Sequence, residues 1–131
     1  MKATQPCPCG SSNGLNSCCG QYLYDGRVPP TAEALMRSRF TAYCQKQRDY
    51  LLETWHPTTR PNSLAWDDGS PQWERLDILR TKEGCEEHAT GEVEFRAFYF
   101  DARGQGVLHE RSRFERWEER WVYVDGTILP V

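Results

Sequence analysis

The sequence predicts an α+β fold: a short metal-binding knuckle, two helices, then an antiparallel sheet that the helices cover on one face. Three observations carry this. Four of the six cysteines fall within thirteen residues near the front of the chain. Apolar residues between 31 and 55 recur at helical spacing. Beyond residue 72 the period drops to two, with turn residues at intervals.

A chain of 131 residues suits one domain with a small appendage, and it is long enough to bury a core without staples. With 38% apolar and 27% charged residues it is neither disordered nor fibrous. No apolar run reaches the roughly 18 residues that a membrane span needs. The opening Met1-Lys2-Ala3-Thr4-Gln5-Pro6 lacks the apolar stretch of a secretory signal, so the expected compartment is the cytoplasm, with no membrane partner.

The first element is the knuckle, with boundaries at 1–25. Cys7, Cys9, Cys18 and Cys19 read as C-x-C-x8-C-C. Disulfides are one reading, but a reducing compartment opposes them, and adjacent Cys18 and Cys19 have Cα atoms only about 3.8 Å apart. The favoured reading is one structural Zn²⁺ per chain. Four thiolates complete its tetrahedron at about 2.3 Å and leave no open position for catalysis. The spacer is rich in Gly, Ser and Asn and can turn back on itself. Gly10 and Gly20 follow the two pairs, where a backbone without Cβ can donate N–H groups to sulfur. Cys44 and Cys85 stand apart and read as ordinary thiols.

A linker follows over 21–30, with a turn at Asp25-Gly26 and a stiff end at Pro29-Pro30. Thr31 is placed to N-cap a helix over 31–47, whose face carries Met36, Phe40, Tyr43 and Cys44. Asp49 is placed to cap a second, short helix with Leu51, Leu52 and Trp55, stopped by Pro57. Prolines and Asp67-Asp68-Gly69 make 56–72 a loop. Strands are expected over 76–82, 88–101, 106–117 and 120–124. Glu83-Gly84, Arg103-Gly104 and Glu118-Glu119 make the hairpin connections.

Two resemblances follow from these segments. Cys7-Pro8-Cys9-Gly10-Ser11 with Cys18-Cys19-Gly20 resembles the SEC-C motif, the zinc tail of the preprotein translocase motor ATPase. Here Cys19 stands where that motif often has His, Ser12 replaces its Gly, and Gly14-Leu15-Asn16 replaces its basic residues. The resemblance implies zinc and contact with a protein or ribosomal partner. Ala32-Glu33-Ala34-Leu35-Met36-Arg37-Ser38-Arg39-Phe40-Thr41-Ala42-Tyr43, the stretch from Asp49 to Pro57, His109-Glu110-Arg111-Ser112-Arg113-Phe114 and Trp121-Val122-Tyr123-Val124-Asp125-Gly126 are similar to the bacterial YchJ family. That resemblance implies a SEC-C knuckle followed, over 26–131, by a nuclear-transport-factor-like (cystatin-like) cone of helices on a curved antiparallel sheet. It implies no particular activity.

Such a cone encloses a pocket, and His56, His109 and Arg111 are the candidates to line it. Either His would act as general base, with an Arg steadying an anion. On a strand His109 and Glu110 must face opposite sides; His109, Arg111 and Arg113 share one face, and Leu108, Glu110, Ser112 and Phe114 share the other. No acid/base pair has a defined spacing, so the sequence favours a binding or adaptor module over an enzyme; His88 reads the same way. Arg37 and Arg39 can bind an anion or pair with sheet carboxylates such as Glu92 and Glu94. Trp55, Trp66, Trp73, Trp117 and Trp121 divide between core packing and a stacking wall. Residues 1–48 carry six basic and two acidic residues, net +4; the remainder carries ten and seventeen, net −7. Four thiolates around Zn²⁺ reduce the front to about +2. That balance argues against nucleic acid as a partner of the knuckle and first helix.

Overall fold

A computed structural model describes residues 6–11, 13–64 and 70–130. The expected turn at Asp67-Asp68-Gly69, with Trp66, and Ser12 of the knuckle fall outside the described residues. The chain opens with a loop that turns through a 3₁₀ segment, Leu15–Ser17, into a single helical turn, α1 (Gly20–Leu23). Two helices follow, α2 (Ala32–Cys44) and α3 (Arg48–Glu53). Four strands complete it: β1 (Gln72–Glu83), β2 (Thr90–Asp101), β3 (Gly104–Trp117) and β4 (Arg120–Ile128). They pair antiparallel in the order β1-β2-β3-β4.

The Thr31 cap stands: its Oγ1 accepts the Ala34 N–H at 3.0 Å and closes the first turn of α2. Several boundaries move. The linker begins with helix rather than coil, because α1 occupies Gly20–Leu23. α2 ends at Cys44, three residues short of the expectation. Asp49 sits in the first turn of α3 rather than at its cap, which is Gln47. β1 starts at Gln72, directly after Pro71, and β4 runs through Gly126 to Ile128. A paired strand tolerates turn residues near its ends, so β4 continues past Asp125-Gly126.

The α2 helix is buried on two sides. Met36 and Phe40 face the sheet, while Arg37 and Thr41 face the cysteine loop. A helix covered this way needs no clean polar stripe. Its buried Leu35 and Phe40 join Leu76, Val93, Phe95, Phe114 and Trp121 in one core cluster, worth about 1.5–3 kcal/mol for each large side chain removed from water. Cys7, Cys9, Leu15 and Cys19 belong to that same cluster.

The two faces of the sheet differ as the alternation requires. Opposed pairs Val93/Ser112, Phe95/Glu110 and Ala97/Leu108 face inward. Between them, Glu92/Arg113, Glu94/Arg111 and Arg96/His109 occupy the other face. The β3–β4 hairpin turns on Glu118 and Glu119, both at positive φ (52° and 68°), an uncommon conformation for residues with a Cβ. Among the described residues, no helix is long and apolar enough to cross a membrane.

Candidate metal centre

The cysteine loop folds on itself through an isolated bridge between Pro6 and Gly14, and the Cys7 N–H donates to the Asn13 oxygen at 2.9 Å. The turn after the first pair needs Gly10, whose φ is +82°. Its N–H donates to the Cys7 carbonyl at 3.1 Å, not to a sulfur, so the expected N–H···S role is not what this glycine does. The 3₁₀ segment and α1 then bring Cys18 and Cys19 back onto the first pair.

The four sulfurs lie within 4.8 Å of one another. Cys9 and Cys18 are 3.6 Å apart and Cys18 and Cys19 4.0 Å. A tetrahedron of Zn–S bonds of 2.3 Å has edges of about 3.8 Å, so the donor set fits a four-coordinate thiophilic ion with little movement. Cys7, Cys9 and Cys19 are buried and Cys18 is half-buried.

Polar neighbours surround the sulfurs. The Ser11 hydroxyl lies 3.1 Å from Cys18 Sγ, and Thr41 Oγ1 lies 3.6 Å from Cys7 Sγ. The Arg37 Nη1 donates to the Cys9 carbonyl oxygen. Hydrogen bonds from the Cys19 and Cys7 thiols hold Cys9 below the ordinary thiol range; burial opposes this, and Ser11 and Arg37 add to it. Its hydrogen bonds with Cys7 and Cys9, together with burial, push Cys19 up. One thiol of the quartet is thus disposed to be a thiolate, the form that binds metal. Cys44 stands outside the cluster, its thiol pushed up to about 12 by burial.

Beneath α2 the sheet leaves a cavity of about 210 Å³, walled by Arg39 and Phe40 from α2, Trp73, Phe95 and Glu110 from the sheet, and Trp55 after α3. None of the three expected pocket residues lines it. His56 lies at the end of the helical layer, where Nδ1 accepts the Thr58 N–H and Nε2 meets Glu115 at 3.1 Å. His109 faces away from Glu110; its ring nitrogens reach Glu94 Oε2 and the Pro130 carbonyl, each at 2.8 Å. Arg111 shares that side and reaches Glu92 at 3.9 Å. Strand alternation decides this, because Glu110 and Ser112 line the cavity and their neighbours cannot. His88 closes a turn by accepting the Cys85 N–H.

Among the described residues, neither Arg37 nor Arg39 pairs with a sheet carboxylate. Arg37 takes Glu33 at 3.0 Å on its own helix, while Arg39 turns into the cavity. Trp55 and Trp73 line the cavity; Trp121 is buried in the core, with Arg116 over its ring. Gly126 lies opposite Ser112, where any Cβ would run into the Glu110 carboxylate, so glycine here keeps that group in place.

Residues 31–126 match a family model described as YchJ, middle NTF2-like domain. A UPF0225 protein of Streptomyces coelicolor is 53% identical over 126 residues, covering 96% of this chain and 98% of the relative. Another, of Chromobacterium violaceum, is 45% identical over 130 residues, covering 97% and 96%. The solution structure of a SEC-C motif containing protein from Rhodopseudomonas palustris superposes with a TM-score of 0.82 at 31% identity, covering 96% of this chain and all of that one. A crystal structure of a SEC-C motif containing protein from Psychrobacter arcticus shares the fold, with a TM-score of 0.77 at 22% identity over 99% of this chain and 86% of that one.

Proposed function

The chain belongs to the YchJ family, and from that premise we propose that Cys7, Cys9, Cys18 and Cys19 hold one structural Zn²⁺, making a rigid knuckle that docks a protein or ribosomal partner in the cytoplasm. The observation that carries the metal half is the mutual approach of four sulfurs within 4.8 Å. An all-thiolate tetrahedron selects a soft, geometry-tolerant ion, and zinc is the redox-silent choice. With sulfur at every position there is none for water, so the ion organises structure. Leu15 is the one apolar residue between the two cysteine pairs, so little else would order this loop.

The docking half is supported by the surface that follows the knuckle. Tyr24 and Val28 are exposed at 54% and 49%, large apolar groups beside a rigid anchor. Similarity to SEC-C motif proteins supports the same reading.

Elemental analysis of protein purified without added metal tests the first half. One zinc per chain is expected, with the four thiols protected until a chelator is added. No zinc, or disulfides among these sulfurs, overturns it. Co-sedimentation with ribosomes and crosslinking in cell extract test the second half. Binding is expected to fall in Tyr24→Ser/Val28→Ser with zinc content unchanged; binding indifferent to that change, or absent, overturns docking.

A further inference from the structure

Arg39 is buried, at 4% exposure, yet no carboxylate oxygen among the described residues lies within 4.0 Å of it. One nitrogen is spent on structure: Nη1 donates to the Leu51 carbonyl and to Thr54 Oγ1, each at 2.8 Å, and ties α2 to α3. Nε and Nη2 have no acceptor among the described residues. The guanidinium lies 4.8 Å from the Trp55 ring centroid and 4.7 Å from that of Tyr123. Ring faces soften the loss of water around a cation without replacing an anion. Burial accordingly pulls the Arg39 pKa down. A guanidinium edge with unspent donors, on a partly compensated cation in the cavity wall, calls for an acceptor with negative charge.

The rest of the cavity limits which anion that is. Phe40, Trp73, Phe95 and Leu108 give it apolar walls. Glu110 also faces in, its Oε2 already accepting from Ser112 at 2.6 Å and Tyr123 at 3.3 Å. A second negative charge on the ligand would meet that carboxylate with no further cation among the described lining residues to answer it. An ammonium would meet Arg39. The volume, about 210 Å³, is below the roughly 300–1,000 Å³ of drug-sized sites.

We propose that this cavity binds a small monocarboxylate with an apolar body, the carboxylate held by the Nε/Nη2 edge of Arg39, the body lying among Phe40, Trp73, Phe95 and Leu108. The lining includes none of the four cysteines and neither Tyr24 nor Val28.

Titration of the full, metal-replete chain with benzoate and with hexanoate, read by tryptophan fluorescence and by Tm, tests it. Benzyl alcohol and benzylamine serve as neutral and cationic matches. Saturable binding of at least one carboxylate is expected, with benzyl alcohol at least tenfold weaker than benzoate and benzylamine weaker still. Arg39→Gln is expected to abolish the preference for carboxylate over alcohol. Should that variant fail to fold, Ala97→Leu narrows the cavity while leaving Arg39 in place, and is expected to lose the carboxylate. No binding of either carboxylate, a preference for the amine, or affinity unchanged in Ala97→Leu overturns the proposal.

Discussion

Arg37 reaches from α2 to the cysteine loop, donating from Nη1 to the Cys9 main-chain oxygen at 2.9 Å, with the same nitrogen 3.8 Å from the Cys9 sulfur. Glu33, one turn earlier, holds the other side of the guanidinium at 3.0 Å. A cation so placed would orient the ligand and offset part of the charge that four thiolates bring to the proposed ion. Arg37→Met is therefore expected to weaken retention of the proposed zinc by roughly 10–100-fold. Competition against a colorimetric chelator measures it; retention equal to the native chain would refute the role.

Metal removal is expected to be felt beyond the loop. Cys7, Cys9 and Cys19 share a buried cluster with Leu35 and Leu76, so a loosened knuckle uncovers one side of α2. Chelation, or Cys9→Ser, should lower the Tm of the chain and strip hydrogen-exchange protection from residues 6–24 first. The β2–β3 ladder, paired from Thr90/Glu115 to Asp101/Gly104, should keep its protection longest. A Tm that ignores the chelator would sink this expectation.

The hydrogen bond from His109 holds Glu94 below the ordinary carboxylate range. The folded chain then keeps that negative charge at pH values where the unfolded chain has taken up a proton. Its stabilising effect is complete above the unfolded carboxylate range and is lost as pH falls through the lower folded value. Glu94→Gln should flatten the acid side of the stability profile and leave the neutral side less stable than the native chain. Urea midpoints across the acid range give the readout, and an unchanged acid slope would count against it.

At the β3–β4 turn, Glu119 has φ +68°. A side chain in that region costs about 1–2 kcal/mol that glycine avoids, offset in part by glycine's freedom when unfolded. Glu119→Gly should stabilise the fold by about 1 kcal/mol, seen as a higher urea midpoint with unchanged slope. A lower midpoint would show that the glutamate makes contacts that outweigh its backbone cost.

Most of the architecture was legible because it rests on short-range rules. Period-two alternation locates β2 and β3 and sorts their residues into two faces, but it does not say which face is covered: Glu110 and Ser112 line the cavity, while the expected His109 and Arg111 lie on the other side. The cysteine quartet was legible for the same reason, since two close pairs on a turning loop can hardly avoid each other. The cavity chemistry was not. Arg39 reads like Arg37 two residues earlier, and only the packing of α3 and β4 around it separates a surface charge from a buried one. His56 and His109 drew notice as titratable groups, but Glu115, Glu94 and the Pro130 carbonyl engage them away from the cavity. Such partners are distant in sequence, and no local pattern announces them.

The short backbone splint after α3 has a consequence for how these molecules behave toward each other. Thr54 and His56 exchange main-chain bonds with Tyr123, each at 2.8 Å, and Trp55 bridges it in parallel. That seals the middle of β4 against strand addition by a neighbouring molecule. At the opposite margin β1 carries Arg75, Asp77, Arg80 and Lys82 and breaks register twice, between Trp73 and Arg75 and between Ile78 and Arg80. Charge and irregularity there deter the edge-to-edge stacking that a flat apolar strand would invite. Two unlike devices, a plug on one rim and roughness on the other, thus guard this small open sheet against self-polymerisation.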